Sequence, residues 1–63
     1  MKIKKGETYA EFIKRVRLKA KLTQVDFATK IGYHPATVSA WERGRPVPHF
    51  TQKVIDYYAR KVK

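Results

Sequence analysis

The chain has 63 residues, with fifteen lysines and arginines against five acidic residues, a formal charge of +10, and no cysteine. That length holds one domain, 1–63, around one small core, and the missing thiols exclude both a disulfide framework and a thiolate metal site. No apolar run approaches the ~18 residues of a bilayer span and none follows the lysine-bearing start, so the expectation is a soluble, cytoplasmic protein with no membrane partner, its charge directed at a polyanion, nucleic acid first.

The opening "MKIKKG", residues 1–6, is charged and aperiodic and reads as a basic N-terminal arm. Thr8 and Glu11 then have the T-x-x-E spacing of a capping box, in which each side chain satisfies a free amide of a helix's first turn. Tyr9, Phe12, Ile13, Val16 and Ala20 follow at helical spacing as an inward stripe. Thr23 is placed to cap a second helix that opens on Gln24, with Asp26 in the first turn where the helix dipole favours negative charge. Phe27, Ala28 and Ile31 are its apolar side, and Gly32 ends it.

Pro35 lacks an amide hydrogen and so suits the first turn of a third helix, with His34 as a mediocre cap. This helix is expected to reach about Arg43 and to stop at Gly44. A turn of 100° per residue, counted from an inward Val38, puts His34 and Trp41 on the core side. Ala36 and Ala40 then lie opposite, flanked by Thr37 and Ser39, on a face of little bulk. "RPVPH" breaks the helix with two prolines, and a fourth starts near His49 or Thr51 with Phe50, Val54, Ile55, Tyr58 and Val62 on its apolar side. The fold class predicted is all-α, a compact four-helix domain.

A short helix closed by Gly32, a second one starting three residues later and basic groups around the pair have the size and spacing of a helix-turn-helix over 23–44. A helix with two alanines outward can bring its backbone close to the DNA major groove, where alanine and threonine methyls touch thymine and hydroxyls bond base edges. His34 and His49 lack a neighbouring acid partner, no H-E-x-x-H spacing occurs, and the sole serine, Ser39, has no activating base. The residues therefore argue against an enzyme and point to no cofactor or metal.

The stretches "LTQVDFATKIGYHPATVSAWERG" and "PHFTQKVIDYYA" resemble the Cro/C1-type, or XRE-family, helix-turn-helix domains of phage repressors, bacterial regulators and antitoxins. The likeness runs from Phe12 to about Tyr58 and implies sequence-specific binding of double-stranded DNA, with a role as a transcriptional repressor or regulator. Carried over residue by residue, it implies phosphate contacts from Thr23, Gln24, Arg43 and Arg45. It assigns base reading to Pro35, Ala36, Thr37, Ser39 and Ala40, and a structural pairing to Arg17 and Glu42. A palindromic operator is the expected DNA partner; a homodimer on DNA is the further option, against which the lack of the family's fifth helix, often the dimer-forming segment, counts.

The chain departs from the family pattern in three ways. Lys21 stands where glycine is common, the recognition face has no glutamine, asparagine or arginine, and the family's usual fifth helix is lacking. Two further functions compete with the leading one. Tyr33, Tyr57 and Tyr58 are suited to contact a protein such as a toxin or a polymerase. A non-specific nucleic-acid coat would instead need exposed aromatics for stacking, whereas Trp41 is expected in the core.

Overall fold

The computed structural model describes residues 1–62, and among these it forms four α-helices and no strand. They are α1 (Tyr9–Lys19), α2 (Gln24–Ile31), α3 (Pro35–Glu42) and α4 (His49–Lys61). The α1 capping box is complete: Thr8 Oγ1 accepts from the Glu11 amide at 3.1 Å, and Glu11 Oε1 accepts from the Thr8 amide at 2.8 Å. Thr23 caps α2 in the same way through the Asp26 amide, at 3.1 Å.

The first three helices end with one device. In each, an amide just past a left-handed residue reaches back five positions: Leu22 to the Arg17 carbonyl at 3.1 Å, Tyr33 to Ala28 at 2.9 Å, Arg45 to Ala40 at 3.0 Å. The left-handed residues are Gly32 (φ 83°), Gly44 (φ 106°) and, between α1 and α2, Lys21 (φ 62°). A side chain in that region crowds its own carbonyl, so Lys21 holds its turn at a cost the two glycines do not carry.

The core is assembled from every helix. Phe12, Ile13 and Val16 come from α1, Phe27 and Ala28 from α2, Val38 and Trp41 from α3, Ile55 and Ala59 from α4, and Val47 from the α3–α4 loop. α2 packs on α3, α1 on α3, and α4 on α2, so the third helix is supported from behind by the first two. Tyr58 meets Phe27 edge-on at 5.6 Å, and Tyr33 meets Trp41 at 5.1 Å.

The phase of α4 differs from that expected. Phe50 is 74% exposed, and Thr51 takes the buried position at 4%. Ile55 and Ala59 set the inward direction; a residue four positions before Ile55 shares it, whereas Phe50, five before, is turned roughly 140° away. The Thr51 hydroxyl is satisfied by Tyr33 Oη at 2.8 Å, which lets a polar residue fill a core site. His34 also leaves the inward side predicted for it, because at φ −76°, ψ 141° it stands outside the helix and does not follow the helical rotation.

The basic arm is folded onto the body. Arg15 grips Glu7 with two bonds, Nε at 2.7 Å and Nη2 at 2.9 Å, and Nη2 also donates to the Lys2 carbonyl at 2.7 Å. The bonds from Arg15, together with the Lys4 amide, hold the Glu7 carboxyl down at about 2, against an ordinary 4.5. Tyr9 Oη donates to Asp56 at 2.9 Å, tying α1 to α4, and partial burial followed by that bond pushes its phenol above the usual range.

Candidate nucleic-acid interface

α3 presents its outer face from a firmly held position. Pro35 occupies its first turn, and His34 Nδ1 accepts from the Ala36 amide at 3.1 Å, so the residue read as a mediocre cap does cap the helix. Val38 and Trp41 are buried, at 0% and 4% exposure. On the opposite side Ala36 is exposed, and Pro35, Thr37, Ser39 and Ala40 are half-buried.

Ala36, Thr37 and Ala40 line one open depression with Arg45, Pro46 and Pro48, floored by Tyr33, Trp41 and Thr51. The fold thus brings three of the five face residues together with one of the two loop arginines. Pro35 and Ser39 lie beyond its lining, and Arg43 stands apart as the exposed C-cap of α3.

A second cluster links the ends of three helices. Glu42 Oε2 accepts from Arg17 Nε at 2.8 Å, and Oε1 accepts from Arg17 Nη2 at 3.1 Å and from Gln24 Nε2 at 3.3 Å. Arg17 Nη1 donates to the Leu22 carbonyl at 2.9 Å, which adds the α1–α2 turn. The two charged side chains are 12% and 6% exposed. One carboxylate therefore fixes the end of α3 against the end of α1 and the start of α2, and the planar fork of arginine is what allows both oxygens to be met at once. Gln24 shares in this cluster, and one of its amide hydrogens is committed to Glu42.

The scarce negative charge is used internally. Glu7 pairs with Arg15, Glu11 and Asp26 occupy first turns, Glu42 meets Arg17, and Asp56 accepts from Tyr9. Arg15–Glu7 and Arg17–Glu42 are the two ion pairs among the described residues. The other described cations, Lys21, Arg43 and Arg45 at the ends of the two-helix motif among them, form no ion pair among the described residues, and the net field of the body is positive.

Several features of this surface were not legible in the residues. Tyr33 and the prolines 46 and 48 shape the depression, and their signal lies in tertiary placement, since Tyr33 is positioned by Trp41 and Thr51. Exposed Lys21 adds a cation two positions before Thr23, visible in sequence only as a missing glycine. Burial of Trp41 removes it as a stacking platform. No described helix is long and apolar enough to cross a membrane.

A protein-family model described as "Helix-turn-helix" matches residues 13–52, from within α1 to the first turn of α4. No curated protein and no solved structure matches the chain.

Proposed function

The chain belongs to the Cro/C1-type helix-turn-helix family of DNA-binding regulators, and from that membership we propose a sequence-specific repressor that acts by occupying a double-stranded operator. The observation that carries this reading is the low-bulk face of α3, with Ala36 exposed and Thr37 and Ala40 beside Arg45, backed by buried Val38 and Trp41. In this reading Ala36 and Ala40 meet thymine methyls, Thr37 and Ser39 offer hydroxyls to base edges, and Pro35 leads the helix into the groove. Arg43, Arg45, Thr23 and the remaining side-chain hydrogen of Gln24 hold phosphates on either side.

Two copies read a palindrome. A body of 27 × 24 × 19 Å fits within the ~34 Å separating equivalent half-sites on one face of B-DNA. Bound there, the protein excludes polymerase without any chemical step. With few long polar chains on α3, preference for a site comes in part from DNA shape.

Selection from a randomised duplex library tests this reading directly. The expected result is an enriched inverted repeat containing thymines. Ala40→Gln should stay folded and enrich a different half-site, while Arg43→Ala and Arg45→Ala each weaken cognate and scrambled duplexes alike and lower the salt slope by about one. A folded Ala40→Gln protein that selects the same repeat would place α3 outside the groove.

A further inference from the structure

α4 carries a second exposed face that the DNA-reading surface does not use. Phe50, Val54 and Tyr57 recur at intervals of four and three, so they form one stripe down the side of the helix turned from the core. Phe50 is 74% exposed and Tyr57 57%, while Val54 is half-buried. Beside the stripe, Val54, Tyr57 and Tyr58 line a shallow groove with Lys30 and Ile31 from the end of α2 and with Lys61. From Phe50 to Lys61 the helix rises about 16 Å, the length of three helical turns.

Cations outnumber acids around this stripe. Lys30, Lys53, Arg60 and Lys61 surround it, all exposed. Asp56 on α4 accepts from Tyr9 on the α1 side of the helix, Asp26 lies one turn before Lys30 on α2, and neither acid lines the groove. We propose that this face docks an acidic amphipathic helix of a partner protein, whose apolar anchors at three- and four-residue spacing fill the Phe50–Val54–Tyr57 stripe while its carboxylates meet the four cations.

The observations favour this occupant over the others. A second copy would bring two such cation-rich faces together. Single-stranded nucleic acid would stack bases on successive exposed aromatics, but Lys61 Nζ lies 4.5 Å and the Arg60 guanidinium 5.7 Å from the centre of the Tyr57 ring, which leaves Phe50 as the one open face of the stripe. The same two cations stand ready for carboxylates flanking the anchors seated on Phe50 and Val54.

The test uses the whole chain, labelled with nitrogen-15, and a synthetic sixteen-residue peptide with leucine and phenylalanine on one helical face and glutamate on the others. Amide shifts should move along Phe50 to Lys61 and at Lys30 and Ile31. Binding should weaken at least tenfold for Phe50→Ser, for Tyr57→Ala, and for a peptide of the same composition in scrambled order. Because the scrambled peptide leaves the protein unaltered, the comparison stands even if one variant folds poorly. Equal binding of the scrambled peptide would reduce the contact to bulk charge and overturn the proposal. Concentration-dependent shifts of the same amides without peptide, or movement of those amides by oligothymidine with the same loss in Tyr57→Ala, would overturn it in favour of self-association or nucleic acid.

Discussion

Replacing Glu42 by alanine strips Arg17 of two of its three bonds, leaving its guanidinium, 12% exposed, with the Leu22 carbonyl alone, and frees the Gln24 amide. Breaking one side of a largely buried pair costs roughly 3–5 kcal/mol, and the surviving bond and residual water access place this case near the lower end, about 3 kcal/mol. A domain of this size is stable by roughly 3–9 kcal/mol, so the loss is a large share of the total. With an unfolding entropy of roughly 0.13 kcal/mol/K for such a chain, the midpoint should fall by about 20 °C. Circular dichroism melts and urea titrations of Glu42→Ala, Arg17→Met and the double variant close a cycle, in which the double variant should be more stable than the sum of the single losses allows. Additive single losses, or a Glu42→Ala midpoint within a few degrees of the parent, would refute the claim that this carboxylate holds the helix ends together.

Lys21→Gly relieves a left-handed lysine at an exposed turn and should raise stability by about 1 kcal/mol in urea titrations; a lower midpoint would mean that the turn is not strained. Glu7 is held at about 2 against an ordinary 4.5, chiefly by Arg15, so its depressed folded value stabilises the chain above about 4.5 and that contribution disappears as pH falls toward 2. The difference in urea midpoint between the parent and Glu7→Gln should therefore be full above pH 4.5 and shrink on acidification, and a pH-independent difference would contradict the pairing. Phe50→Ala should change stability by less than about 0.5 kcal/mol, whereas Ile55→Ala should cost about 2–5 kcal/mol. Equal losses would mean that the phase of α4 is wrong.

The parts legible in the sequence were those fixed by local chemistry. Thr8, Thr23, Gly32 and Gly44 mark helix ends because capping and left-handed backbone depend on residues within one turn, and the elements they delimit are the ones observed. The inward Val38 and Trp41 and the outward Ala36 followed from helical rotation alone. Phe50 and Thr51 were exchanged because hydropathy favours phenylalanine in a core, whereas a distant hydroxyl, Tyr33, makes threonine acceptable there. Val47 was missed because a loop residue has no period to read, and the place of Gln24 beside Glu42 depends on how three helices meet. The Arg17–Glu42 pair came from the family resemblance, since 25 positions separate the two residues and no spacing rule connects them.

α3 is pinned near both ends, by the Glu42 carboxylate at its close and, near its start, by the capped turn that leads into it through Tyr33. A rod clamped at two points has no swivel left, so its outward methyls cannot be re-aimed by a small rearrangement of the protein. On any duplex this helix engages, the adjustment falls to the DNA, and stiff and yielding base steps become distinguishable even where no side chain touches them. The clamps also mean that little motion is frozen out on contact, so that less of the contact energy is spent on ordering the protein.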